Sequence, residues 1–349
     1  MTQARSRRFR RGVTVCAVGV ALLLAGCAEN APQDTLEPAG PIARKIDNLF
    51  IPVFWVAAAI FFLVWGIIAV AVLKFRARPD TPEPKQVHGS TKLEIGWTVL
   101  PVLLMLSVAI ATIPVIRDLA EEPKGDVLAV NVTGHLWWWE YEYPELGIRT
   151  ANELHIPVDR PVRLSLHSKS PTVAAQPTGV IHSFWVPKLG GKTDVMPGRV
   201  NKMTIQADDP GTYRGQCVEF CGLSHAYMRL RVVAQSAGDF EAWAKAQQGD
   251  ATVPASGPAA AGAVVFKEQG CGACHTLRGA EGAEGTVGPE LTHLMSRETF
   301  AGSVFDLTAK ELTRWLEDPP ARKAGSKMPN LDLTGDEISQ LVAYLETLR

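Results

Sequence analysis

Neither sign of charge is in excess in this chain: 35 Lys and Arg stand against 36 Asp and Glu, a formal net charge of −1 over 349 residues. A nucleic-acid binder needs a concentrated basic surface, so that class of partner is excluded. Charge is also sparse, at 20% of residues against a usual ~25%. The shortage is concentrated toward the amino terminus, where apolar residues crowd. That distribution excludes a disordered chain, a collagen-like chain and a wholly cytosolic enzyme. Internal repeats are missing, and cysteine is scarce, with six in the chain. At roughly 100–200 residues per domain the length allows two or three domains.

What the chain does have begins at the membrane. Arg5, Arg7, Arg8, Arg10 and Arg11 precede the apolar stretch Val13 to Ala25, the pattern of a secretory signal over residues 1–26. Cys16 falls inside that signal, and Cys27, directly after Ala25-Gly26, resembles the lipidated cysteine of the bacterial lipobox. Phe50 to Leu73 (24 residues) and Ile95 to Ile116 (22 residues) carry no charge. Each is long enough to cross a hydrocarbon core of ~30 Å, so residues 27–119 read as a mature amino terminus and a transmembrane hairpin. Pro101 and Pro114 lie in the second span, where neighbouring helices can satisfy the freed carbonyls. Lys74, Arg76, Arg78, Lys85 and Lys92 lie in or beside the loop between the spans, against Arg44 and Lys45 before it. Basic short loops stay in the cytoplasm. Both termini, and everything after about Leu119, are therefore expected outside the plasma membrane of a bacterium.

From Asp126 the texture becomes strand-like, in segments such as Val127–Val132, Val162–His167, Lys202–Gln206 and Met228–Val233. Turn punctuation separates them, as at Pro197-Gly198 and Asp208-Asp209-Pro210-Gly211. An antiparallel β-sandwich or barrel over 120–237 is expected. A short helix, Phe240 to Gln248, and an Ala/Gly/Pro/Ser-rich linker fill 238–262. Beyond it, Thr308-Ala309-Lys310-Glu311 and Thr334-Gly335-Asp336-Glu337 are capping-box patterns. Leu341, Tyr344, Leu345 and Leu348 make one helical stripe, so 263–349 reads as a small all-α domain.

Two constellations carry chemistry. His182 is followed 35 residues later by Cys217, and then by Glu219, Cys221, His225 and Met228 in one short loop. Thiolate, imidazole and a weak thioether suit copper, and Cys217, His182, His225 and Met228 already complete a mononuclear site. Cys221 is surplus; a second thiolate can bridge a second copper. A Cys217–Cys221 disulfide is the alternative in an exported protein, but it leaves His225 and Met228 without a role. The second constellation, Cys271-Gly272-Ala273-Cys274-His275, is a haem c attachment motif rather than a bare redox pair, because the histidine follows at once. Met328, followed by Pro329 and 53 residues after His275, is the expected sixth ligand, with Met295 and His293 as competitors. Methionine–histidine ligation raises the haem potential. His88, His135, His155 and His167 fit no spacing pattern and read as structural.

From Leu49 to Val233 the chain resembles subunit II of the haem–copper cytochrome c oxidases. The likeness rests on the hairpin, Leu93-Glu94-Ile95-Gly96-Trp97-Thr98, Trp137-Trp138-Trp139-Glu140-Tyr141-Glu142-Tyr143, Lys192 to Arg199, and the copper loop. The Met-Pro placement resembles that of class I cytochromes c. The resemblance implies a cupredoxin-like β-barrel holding the dinuclear centre CuA. In it Cys217 and Cys221 bridge two coppers, His182 and His225 are terminal ligands, and Met228 binds one copper weakly. The Glu219 backbone carbonyl binds the other copper, and the Glu219 side chain matches a carboxylate to magnesium at the junction with subunit I. Trp137 matches the residue that accepts electrons from cytochrome c, and Glu94 the mouth of a proton path into subunit I. Gly179 departs from the pattern, since family members commonly carry Asp there, and Pro171 to Pro177 reads as a loop expansion.

The implied function is the electron-receiving subunit of a terminal oxidase. Electrons pass from haem c to CuA and on to subunit I, where oxygen is reduced to water and protons are translocated. The donor is cytochrome c or a cytochrome bc complex, and the linker holds the two carriers at high effective concentration. The same module could serve a nitric oxide reductase or another terminal reductase. A copper-carrying lipoprotein has no use for a covalent haem, and a copper-free quinol oxidase subunit would not retain Cys217, Cys221 and His225.

Overall fold

The computed structural model describes residues 19, 31–76, 83, 85–86, 88–169 and 179–349. Apart from residue 19, the expected signal segment with Cys16, together with the lipidation candidate Cys27 and the loop 171–177, lies outside the described residues. Helices α1 (Pro41–Lys74) and α2 (Thr91–Ala120) form a hairpin that contains both expected spans. Their side chains face outward along the apolar stretches, and both helices are long and apolar enough to cross a membrane. At the end of the hairpin nearest the β domain, Lys45 on α1 pairs with Asp118 on α2 at 3.1 Å. Arg44 pairs with Asp208 and Lys188 with Glu37, tying the hairpin to the domain that follows.

That domain is a sandwich of two five-stranded sheets. Its strands are β1 (Leu128–Gly134), β2 (Trp139–Tyr143), β3 (Ile148–Ala151), β4 (Glu153–Pro157) and β5 (Val162–Ser168). They continue with β6 (His182–Trp185), β7 (Thr193–Val195), β8 (Asn201–Ile205), β9 (Gly211–Cys217) and β10 (Arg229–Gln235). One sheet runs β3-β2-β1-β5-β8 and the other β4-β10-β9-β6-β7. Most pairings are antiparallel, while β1 with β5 and β4 with β10 are parallel. Strand β1 alternates buried and half-buried along its length, as period-2 patterning requires. Trp139, Tyr141, Tyr143 and Phe184 fill the space between the sheets. The Tyr143 hydroxyl both donates to the His155 carbonyl (2.8 Å) and accepts from the His155 amide (2.9 Å). This is the expected cupredoxin-like barrel, in sandwich form.

Helix α3 (Ala237–Gln247) starts on Ser236, whose side chain caps the Asp239 amide. The next helix, α4 (Gly257–Glu268), begins inside the expected linker. Pro258 at the first turn and the alanines after it favour helix, which shortens the connection to residues 248–256. Two short strands, β11 (Thr299–Phe300) and β12 (Phe305–Asp306), interrupt the otherwise helical last domain. Helices α5 (Ala309–Glu317), α6 (Pro319–Arg322) and α7 (Gly335–Leu345) complete it. The predicted stripe Leu341, Tyr344, Leu345 and Leu348 is buried, with α7 packed on α4. Thr334 and Glu337 form the full capping box. Thr308 caps the Glu311 amide, but the Glu311 carboxylate turns instead to Arg314 and Arg322.

Candidate metal and haem sites

In the β domain the sheet frame brings the sulfur and imidazole donors together. His182 opens β6 and Cys217 closes β9, strands that pair directly. The Cys217 amide is held by the Met228 carbonyl at 2.9 Å, so both ends of the loop 217–228 are pinned. Within it, Cys217 Sγ lies 3.7 Å from Cys221 Sγ and 3.9 Å from His182 Nδ1. Cys221 Sγ lies 3.6 Å from His225 Nδ1 and 3.9 Å from Met228 Sδ. The Glu219 carbonyl is 3.3 Å from Cys217 Sγ, while its side chain is exposed.

These distances test what the cluster can hold. A sulfur separation of 3.7 Å is far from the ~2.05 Å of a disulfide, and both cysteines are free thiols. It is less than twice a ~2.3 Å metal–thiolate bond, the length known for zinc, so a single ion can touch both sulfurs. Thiolate, imidazole and thioether in one buried cluster are the soft set that suits copper. The thiol pair shares a proton: the hydrogen bond from Cys221 drives the Cys217 pKa down, and the same bond pushes Cys221 up. Trp137 closes one side, its indole Nε1 donating to the Cys221 carbonyl at 2.8 Å. Gly179 stands in the left-handed region at φ +71°, where a Cβ would meet Ser168 Oγ at 2.8 Å. Any side chain there would have to displace that hydroxyl.

In the helical domain a cavity of about 250 Å³ has Cys271, Cys274, His275 and Met328 on its walls. His275 Nδ1 is bonded to the Pro289 carbonyl at 2.7 Å, which leaves Nε2 as the ring's ligating nitrogen, the arrangement metal-bound imidazoles use. Burial lowers the His275 pKa and keeps the ring in its neutral, ligating form. Met328 Sδ accepts from Trp315 Nε1 at 3.1 Å and has further lone-pair capacity. Neither competitor borders this cavity. The ring of His293 is engaged elsewhere, Nδ1 with the Arg349 carbonyl and Nε2 with the Gly249 carbonyl. Glu94 lies in the first turn of α2, exposed and far along the chain from both sites.

Family signatures match three consecutive stretches: "Cytochrome C oxidase subunit II, transmembrane domain" over 29–115, "Cytochrome C oxidase subunit II, periplasmic domain" over 128–236, and "Cytochrome c" over 259–349. The cytochrome c oxidase subunit 2 of Alkalihalophilus pseudofirmus is 36% identical, with 94% of each chain covered. The chain belongs to the cytochrome c oxidase subunit II family. The cytochrome c oxidase subunit 2 of Bacillus subtilis is 34% identical, covering 95% of each chain. A quinol oxidase subunit 2 of Bacillus subtilis is 31% identical but covers only 66% of this chain and 71% of its own. The solved periplasmic domain of subunit II of cytochrome oxidase from Bradyrhizobium japonicum is 29% identical over 36% of this chain and 96% of that chain, with a TM-score of 0.32.

As a subunit II with a fused cytochrome c domain, the protein is the electron-receiving subunit of a haem–copper oxidase, an oxidoreductase that contains subunit I. Its domains imply copper and haem c. Sequence reasoning singled out Trp137 but missed its neighbours between the two sites and that it borders both. Trp137, His135 and Trp138 of the β domain border the haem cavity as well. His135, read as structural, stacks on Trp138 with ring centroids 4.1 Å apart. Glu153, 1% exposed, accepts from the amides of Glu298 and Thr299 and from the Thr299 hydroxyl, across the domain boundary. No local spacing betrays such contacts; a charged residue within an apolar strand, as Glu153 is, was the one available signal.

Proposed function

We propose that this chain takes electrons from haem c and passes them one at a time, by way of Trp137, to a dinuclear copper centre, CuA. From there they go to subunit I, where oxygen is reduced to water with proton translocation. One observation carries the reading: Trp137 borders the haem cavity and also donates to the Cys221 carbonyl, so a single side chain touches both sites. When bound, copper and haem c supply the one-electron carriers that no side chain provides. Cys217 and Cys221 would supply the thiolates for two coppers, His182 and His225 the imidazoles, and Met228 and the Glu219 carbonyl the remaining donors. Two shared thiolates favour this over a mononuclear site, for which the second would be superfluous. Cys271 and Cys274 would attach the haem covalently, and His275 and Met328 would ligate its iron. Trp137, packed at 7% exposure, keeps water out between the sites.

Further roles belong to the same reading. The exposed Glu219 carboxylate is assigned to magnesium at the junction with subunit I. Glu94 is assigned to proton uptake, Cys27 to lipid attachment, and the domains beyond α2 to the outer side of a bacterial plasma membrane. Cytochrome c or a cytochrome bc complex delivers electrons to the haem domain. The test is Trp137→Phe in the purified oxidase, which removes the indole N–H. Slower haem-to-copper transfer with both absorption spectra retained is expected; an unchanged rate takes Trp137 off the path.

A further inference from the structure

Lys323, just after α6, is only 5% exposed. A buried ammonium is costly unless its protons are bonded. Its Nζ donates to two carbonyls, both at 2.7 Å: that of Trp137 in the β domain and that of Ala301 in the haem domain. Burial lowers its pKa to about 7. A methionine would fill the same space without that cost, so packing does not explain a lysine here.

The neighbouring residues hold Trp137 from other sides. Ser224, in the copper loop, donates to the Ala324 carbonyl. Gly325 lies at φ +79° against the indole, and a Cβ there would come within 2.7 Å of the ring. Trp137 is thus gripped at its carbonyl by Lys323, at its ring face by Gly325 and at Nε1 by Cys221. The haem domain is separately latched through Glu153, and through Arg231 to Glu298 at 2.6 Å.

Resting on the electron path proposed above, we infer that Lys323 is a positioning residue for interdomain electron transfer: through the Trp137 carbonyl it fixes the indole in one pose between the haem cavity and Cys221. One electron leaves ferrous haem c, which becomes ferric, and reduces the copper centre by one; Lys323 neither gains nor loses a bond to either.

The test uses the intact oxidase complex with Lys323→Met and, as a docking control, Glu153→Ala. Haem c is photoreduced and copper reduction is timed. Hydrogen exchange of the Glu298 and Thr299 amides, which Glu153 holds, reports whether the domains stay docked. Lys323→Met is expected to slow transfer by about tenfold or more, as a misplacement of ~1 Å at a reacting centre costs up to ~10²-fold. Exchange at those amides and the copper EPR and haem spectra should stay unchanged. Glu153→Ala should release the two amides. An unchanged rate in Lys323→Met overturns the inference. A slower rate accompanied by the amide release seen in Glu153→Ala also overturns it, leaving Lys323 a docking contact only. Absence of haem-to-copper transfer in the unmodified complex would instead defeat the electron path itself.

Discussion

In the β domain five side-chain donors converge within 4 Å of a neighbour on a frame of paired strands, whereas in the helical domain the candidate ligands His275 and Met328 line one larger, mostly apolar cavity. The contrast follows from what each site holds. A small ion offers few contacts, so its donors must be placed beforehand by the scaffold, and β6 and β9 do this through direct pairing. A haem brings a large apolar surface and two covalent links, so its pocket needs an apolar wall and only two aligned ligands. Where the two meet, Trp137 belongs to the rigid side and borders the adaptable one.

The largest expected effect breaks the contrast at its rigid end. Cys221→Ser removes the second bridging sulfur, so the mixed-valence copper EPR signal should vanish while haem c absorption stays. Retention of that signal would show that the pair is not needed. Next in size, Met328→Ala should eliminate the sulfur-to-iron absorption band and lower the haem potential while leaving copper EPR intact. Met295→Ala should do neither, and the reverse result would move the axial ligand off the cavity wall.

The smallest effect concerns acid. His155 and His135 are buried in the β domain with pKa values lowered by burial to about 4 and about 3, against 6.5 when exposed. The unfolded chain therefore takes up protons first as pH falls. Stability is full above pH ~6.5 and declines as pH drops toward 4, by an amount on the order of a few kcal/mol. Denaturant unfolding of the β domain at pH 7 and pH 4.5 checks this; equal midpoints would contradict it.

Much of this was legible in the chain before folding was considered, and the reason is locality. The copper loop places four of its donors within twelve residues, and the haem motif places three within five. Strand periodicity and capping residues are equally local, and periodicity located β1, β5, β8 and β10 to within two residues at each end. Partner choice was not local. Glu311 satisfies the capping pattern on paper, yet Arg314 and Arg322 take its carboxylate. The linker reading overweighted composition, since Pro258 and the following alanines nucleate α4 once α7 offers a surface to pack on. Lys323 and Glu153 lie 186 and 146 positions from the partners Trp137 and Thr299, a separation at which no spacing rule operates. Glu153 latches the two domains together, and Lys323 holds the Trp137 carbonyl between them.

The central claim is that one chain holds a two-copper centre beside a covalent haem. Metal analysis with EPR on the native oxidase, normalised to haem c, tests it most directly. The account predicts two coppers for each haem c in this subunit and a mixed-valence signal shared between them. Zinc in the β domain, a single copper, or a Cys217–Cys221 cystine would contradict it.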